Sequence, residues 1–211
     1  MKVTLTRDRT TWLAYLMLAY FGYCLNSLGP ITPFLKSELD VSYTISSLHF
    51  TAFALGILGA GLGGHLVIER LGRWRSLWLG AFGMLVGAMI LLIGRDPVVT
   101  IGASFVMGLV GSLILAIVPA ALTDRHGELR AVALSEANVL ASLVSTAAPL
   151  LIGWFARSAW GWRPGLGLVA LTPLVMYFIL HEPKRPAAPD RSMPAATVDA
   201  PSGHLPGLYW V

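Results

Sequence analysis

A single cysteine, Cys24, stands among 211 residues, so the chain can close no internal disulfide and build no thiolate metal site. Ionic side chains are also scarce. Lys, Arg, Asp and Glu make up 12% of the residues, against about 25% in soluble domains, which excludes an ordinary soluble domain. The 15 basic and 11 acidic residues are confined to short clusters, and the basic ones sit at the ends of apolar runs. Topology therefore explains the net charge of +4, and nucleic acid is not an expected partner.

Apolar residues are abundant, at 55% of the chain, with a mean hydropathy of +0.69. Six stretches are uncharged or nearly so: 10–35, 41–68, 76–94, 97–123, 131–156 and 164–181. Each is long enough for the roughly 17–25 residues of a membrane-crossing helix, and only Glu136 interrupts the pattern. Backbone facing lipid must satisfy its own hydrogen bonds, and no alternating barrel pattern is visible, so the stretches are expected to be helices. The predicted fold is all-α and polytopic, with six transmembrane helices. Its lipid partner is the cell membrane, crossed several times.

With the N-terminus inside, eleven of the fifteen basic residues fall in cytoplasmic segments, which predicts that both termini are cytoplasmic. All seven tryptophans lie near predicted helix ends or in the tail, where an interfacial belt is expected. The first span is too long for a signal-peptide core and has no small-residue cleavage site, so it is read as a retained helix. The expected organisation is a cytoplasmic N-terminus over 1–10 and a helical bundle over 11–181. A Pro-rich cytoplasmic linker follows over 182–206, and the apolar residues 207–211 resemble the start of a seventh helix.

The six spans also compare three against three. Gly64, Gly72 and Arg73-Trp74-Arg75 at the second-to-third junction are echoed by Gly153, Gly161 and Trp162-Arg163 at the fifth-to-sixth. This spacing favours a 3+3 inverted repeat of the kind found in transporters.

The run Glu69-Arg70-Leu71-Gly72-Arg73 resembles the signature of the major facilitator superfamily, Gly-x-Leu-x-Asp-Arg-x-Gly-Arg-Lys/Arg, at the junction where that family carries it. Glu69 keeps the carboxylate of the signature Asp, and Arg70, Gly72 and Arg73 match outright. His65, Val67 and Trp74 depart from the Gly, Leu and final basic positions. Asp124, after Pro119-Ala120-Ala121-Leu122-Thr123, stands where the family places the acidic partner of the signature's second Arg. The resemblance implies a cytoplasmic charge cluster of Glu69, Arg73 and Asp124 that biases one conformation, and a chain equivalent to the first six of twelve helices. It implies movement of a small solute by alternating access. Ser104 replaces the Arg common in proton-linked members. Ala148-Pro149-Leu150-Leu151-Ile152-Gly153 keeps only two positions of the antiporter motif, so drug antiport is not supported.

Four polar residues inside the spans are candidates for substrate or coupling roles. Glu136 is the one acid in an apolar stretch, though six residues of helix place it only about 9 Å from the helix start. Asn138 follows two positions later. Asn26 is midway along the first span, where an interhelical hydrogen bond is the alternative. His49 is about two turns into the second, where a packed neutral ring is the alternative. Small residues mark expected helix contacts: Gly59 and Gly63, Gly83 and Gly87, and the stripe Ala133, Ala137, Ala141, Ser145, Pro149, Gly153. In the resembled fold the second and fifth helices face the other half. The expected partner is therefore a second six-helix half or a homodimer. Pro30, Pro33, Pro119 and Pro149 are expected to loosen their helices.

Other classes fit less well. No serine in a span has the Gly-x-Ser-Gly setting of an intramembrane protease, so no enzyme is expected. There is no phosphate-cradling Gly-Lys-Ser/Thr loop and no Asn-Pro-Ala tripeptide, and neither cofactor nor metal is called for. A non-transporting membrane scaffold that needs a partner half stays open as the alternative.

Overall fold

A computed structural model describes residues 5–180. The expected linker and seventh-helix start, over 182–211, lie outside the described residues. Among those described, the structure is all helix: α1 (Arg9–Leu39), α2 (Tyr43–Leu71), α3 (Arg73–Ile93), α4 (Pro97–His126), α5 (Arg130–Ala156), α6 (Arg163–Ala170) and α7 (Thr172–Leu180), with a 3-10 turn at Gly127–Leu129. Four stretches are long and apolar enough to cross a membrane: Tyr43–Leu71, Arg73–Ile93, Pro97–Ala156 and Arg163–Leu180. The third is 60 residues and contains both α4 and α5. α1 has the length but is the least apolar of the five long helices.

Local chemistry sets the boundaries. Asp8 accepts from the Thr11 N–H at 3.0 Å and so caps α1. Ser42 caps α2 in the same way, and Asp96 caps α4 by accepting from Val98 and Val99, with Pro97 in the first turn. Gly72, at φ +80°, ends α2 and turns the chain directly into α3; Gly161, at φ +67°, precedes α6. Side chains with a Cβ are disfavoured at those angles, which is why both junctions carry glycine.

The sixth expected span, 164–181, is broken in two at Leu171. Pro173 has no N–H to offer the Val169 carbonyl, and the Thr172 hydroxyl donates to that carbonyl instead, at 2.8 Å. The other helix prolines do not end their helices: α1 runs through Pro30 and Pro33, α4 through Pro119 and α5 through Pro149. α1 also extends four residues past its expected end, to an Asp40 cap in the left-handed region.

α1 is the hub of the bundle. It buries fifteen residues, among them Tyr20, Tyr23, Leu28 and Ile31, and packs chiefly on α5, with further contacts to α4. A helix covered by neighbours needs less lipid-compatible surface, which accounts for its lower apolarity. Tyr23 fixes α1 to α6 by donating to the Gly165 carbonyl at 2.5 Å. The second major packing is α4 against α2 and α3. There glycine supplies the closeness: a methyl added at Gly56 or Gly108 would strike the facing backbone, and Gly83 and Gly87 press on Val110 and Met107. Lipid offers no hydrophobic drive between helices, so such close backbone approach is the main source of cohesion.

Two elements stay largely uncovered. α2 buries only Ser46, His49, Ala52, Phe53 and Gly56, all in its first half, and leaves Leu55, Leu58, Leu62 and Leu66 exposed along one stripe. α5 leaves Val139, Leu143, Leu150 and Trp154 exposed. These side chains suit hydrocarbon or another protein surface, not water. Not every tryptophan forms a belt. Trp78 is buried against Phe82 and Tyr177, and Trp162 is buried against Phe34, while Trp12, Trp154 and Trp160 are exposed.

Candidate functional site

The polar side chains gather at the two ends of the bundle. At one end α2 turns into α3 at Gly72, whose N–H bonds back to the Ile68 carbonyl. Arg73 begins α3 and donates to Oδ2 of Asp124 in the last turn of α4. Both side chains are about half exposed, so water and salt screen the pair. Glu69 and Arg70 are exposed and make no ion pair among the described residues. The sequence-predicted cluster thus comes together at Arg73 and Asp124 but does not include Glu69. Ser76, which sequence reasoning passed over, reinforces the junction by donating its N–H to the Gly72 carbonyl at 3.1 Å and its hydroxyl to the Val67 carbonyl at 3.4 Å.

Beside it lies a second network. Arg7, just before α1, donates from Nε to Oε2 of Glu136 at 2.8 Å and from an Nη to Oε1 at 2.5 Å. Tyr15 adds its hydroxyl to Oε2 at 3.1 Å. The bonded carboxylate raises the Arg7 pKa above the ordinary guanidinium value, chiefly through the hydrogen bonds and secondly through its charge. Asp8 pairs with Arg125, and Thr11 Oγ1 lies 2.9 Å from His126 Nε2. The start of α1 is therefore clasped to the α4–α5 turn. Sequence reasoning found Glu136 but missed Arg7, Asp8, Tyr15, Arg125 and His126. Asp8 carried a local signal, an N-cap acid three residues before Thr11; the others lie 115 or more residues from their partners.

The remaining candidates divide by burial. His49 is buried between α2 and α4, with Nδ1 2.8 Å from the Ser46 carbonyl and Nε2 3.0 Å from Thr100 Oγ1. A carbonyl only accepts, so Nδ1 carries a proton, and Nε2 pairs with the Thr100 hydroxyl on the facing helix. Asn26 and Asn138 are exposed on α1 and α5, and each donates only to its own helix, at Gly22 and Leu134. Their amide oxygens accept no hydrogen bond among the described residues. A methyl added at Gly59 would lie 3.3 Å from the end of the Leu109 side chain, and one at Gly63 or Gly153 would meet nothing within 4 Å among the described residues. Pro149 is exposed. The first part of the α5 stripe is used within the bundle instead, since Ala133 and Ala137 are buried and a methyl on Gly22 would meet Ser145.

Between the first halves of α1 and α5 lies a groove of about 550 Å³, lined by Trp12, Tyr15, Val132, Ser135, Glu136, Val139 and Leu143 among others. At the opposite end of the bundle Arg163 forks onto Glu38, with bonds of 3.0 and 2.6 Å, and donates from Nε to the Leu92 carbonyl. Trp162 donates to the same Glu38 at 2.9 Å. This lock joins the end of α1, the end of α3 and the start of α6. The described residues hold no cluster of three metal-binding side chains.

Fold and site together define an all-helical protein that crosses the membrane several times, with a basic α2–α3 junction tied to the end of α4. Residues 11–206 match the family model of the Major Facilitator Superfamily, and the chain belongs to that superfamily. It is 26% identical over 170 residues to YwtG of Bacillus subtilis, a protein assigned to metabolite transport, covering 80% of this chain and 37% of that one. It is 24% identical over 169 residues to the glucose transporter GlcP of Staphylococcus epidermidis, covering 78% of this chain and 38% of that protein. The chain therefore spans well under half the length of these relatives.

Proposed function

We propose that this chain forms the first six-helix bundle of a permease that moves a small polar metabolite, such as a sugar, by alternating access. In this reading α1 to α5 each cross the membrane and α6 with α7 crosses as one broken span, in a 3+3 inverted repeat. The positive-φ glycines at Gly72 and Gly161, each followed by Arg and Trp, support the repeat. Both termini are cytoplasmic, which puts the Arg73–Asp124 end inside.

The observation that carries the reading is the Arg73–Asp124 pair. It bridges α3 and α4 at the signature junction, where a screened contact of about 0–1 kcal/mol can bias one conformation without fixing it. The uncovered faces of α2 and α5 fit a second six-helix half, with Gly59, Gly63, Pro149 and Gly153 at that contact. Asn26 and Asn138 are the amides proposed to meet solute, because they sit on uncovered helix faces. We assign His49 and Glu136 to holding helices together, since each bonds across to another segment of the chain, His49 to Thr100 and Glu136 to Arg7 and Tyr15.

The test is uptake of labelled sugars into vesicles carrying the chain alone, and carrying it with a second half supplied from a relative. Uptake that falls at least tenfold in Asn26→Ala, with Arg73→Ala altering rate more than affinity, supports the proposal. A stable oligomer with no uptake in either preparation would leave the scaffold reading in its place. Protease access to the N-terminus in sealed vesicles of known orientation tests the topology.

A further inference from the structure

We propose that Glu38 and Arg163 form a second conformational latch, the counterpart of Arg73–Asp124 at the opposite membrane face, and that the two latches favour opposite states of the permease. The two pairs are built alike. Arg73 is the first residue of α3 and meets Asp124, two residues from the end of α4. Arg163 is the first residue of α6 and meets Glu38, one residue from the end of α1. A positive-φ glycine stands just before each arginine, at Gly72 and Gly161. With α1 to α3 as one repeat and α4 to α7 as the other, the last span of each repeat therefore holds the first helix of its mate.

That reciprocal exchange is what a two-fold axis lying in the membrane plane produces, and the assignment rests on the repeat and the permease reading given above. Such an axis also exchanges the two membrane faces. A contact that biases the permease towards one facing must then have a mate that biases it towards the other. The mates are unequal. Among the described residues Asp124 accepts one hydrogen bond from Arg73, whereas Glu38 accepts two from Arg163 and a third from the Trp162 indole, and Arg163 also donates to the Leu92 carbonyl. The outer latch, with more bonds, sets the resting bias. It is nonetheless open to water, with Glu38 and Arg163 side chains 36% and 42% exposed beside a cleft of about 420 Å³ that Gly94 and Arg95 also line. Screened to this degree, each pair tilts a balance without fixing it.

The experiment uses the full chain assembled with a second half from a relative, as in the uptake test. Cys24 is fully buried, so a water-soluble maleimide reads only an introduced thiol. Val139→Cys and Leu150→Cys, made one at a time, place that thiol on the inner or the outer part of the uncovered α5 face. Glu38→Gln should raise the labelling rate at one position and lower it at the other, each by about two- to fivefold, the upper range for a screened pair. Asp124→Asn should shift both positions the opposite way and by less, and the double variant should fall between the singles. Glu38→Asp, which keeps the carboxylate, should move both positions less than Glu38→Gln does. A rise at both positions, as general loosening of the fold gives, overturns the latch and leaves the permease reading standing. So do shifts in the same direction in the two single variants, or a response to fewer than both of them. A second half that protects neither position from the maleimide overturns the permease reading, and the latch with it.

Discussion

Gly56 of α2 rests against the backbone of Gly108 in α4. A methyl group added at Gly56 would lie 3.0 Å from the Gly108 carbonyl carbon and 2.6 Å from the Leu109 nitrogen, and one added at Gly108 would meet the Phe53 carbonyl. Because backbone stands on both sides, no side chain can swing away to make room. Gly56→Ala and Gly108→Ala should each destabilise the bundle by about 1–3 kcal/mol, the usual range for overpacking. Gly63→Ala and Gly153→Ala, which meet open space, should change monomer stability by no more than about 0.5 kcal/mol. Denaturant unfolding in micelles measures all four. A loss of association in the second pair, with stability intact, would place those glycines at a partner contact.

The clasp at the start of α1 should act as a unit. Arg7→Ala is expected to speed amide exchange over Thr11–Tyr15 by a few-fold while leaving α3 and α4 unaffected, and 1 M salt should narrow the difference. Glu136 raises the Arg7 pKa, so the guanidinium stays charged at every accessible pH. Its contribution is lost only as pH rises through that elevated value. Exchange at the start of α1 should therefore be no faster relative to α3 at pH 10 than at pH 7, as hydrogen-exchange mass spectrometry can establish.

His49 bridges two helices with a satisfied ring. His49→Phe keeps much of the volume and removes both ring nitrogens, and should cost about 0.6–1.7 kcal/mol, the range of interhelical hydrogen bonds in membranes. The penalty stays modest because the Thr100 hydroxyl can turn back to the Pro97 carbonyl, 3.1 Å away. A double-mutant cycle with Thr100→Val should place most of the loss in that pair.

At the opposite end, Arg163→Lys should destabilise by about 1 kcal/mol despite keeping the charge. Lysine cannot reproduce the fork onto Glu38 and reach the Leu92 carbonyl as well. The Trp162 emission spectrum reports this directly, since its indole N–H shares the Glu38 carboxylate. An unchanged spectrum and stability in Arg163→Lys would remove the lock from the fold's supports.

The amino-acid sequence alone decided the class: few charges, long uncharged stretches and caps such as Asp8, Ser42 and Asp96 specify membrane-compatible helices and most of their ends, because these depend on solvation and local hydrogen bonding. It also located the signature junction, since Gly72 and Arg73 act within a few residues of each other. What it left undecided was which helix faces meet. Gly56 and Gly108 look no different in sequence from Gly59 and Gly63, and Glu136 looked like an isolated intramembrane acid until α1 brought Arg7 and Tyr15 to it. Those outcomes belong to tertiary structure, because a small residue or a lone charge acquires meaning only from the side chain or backbone that packing places opposite it.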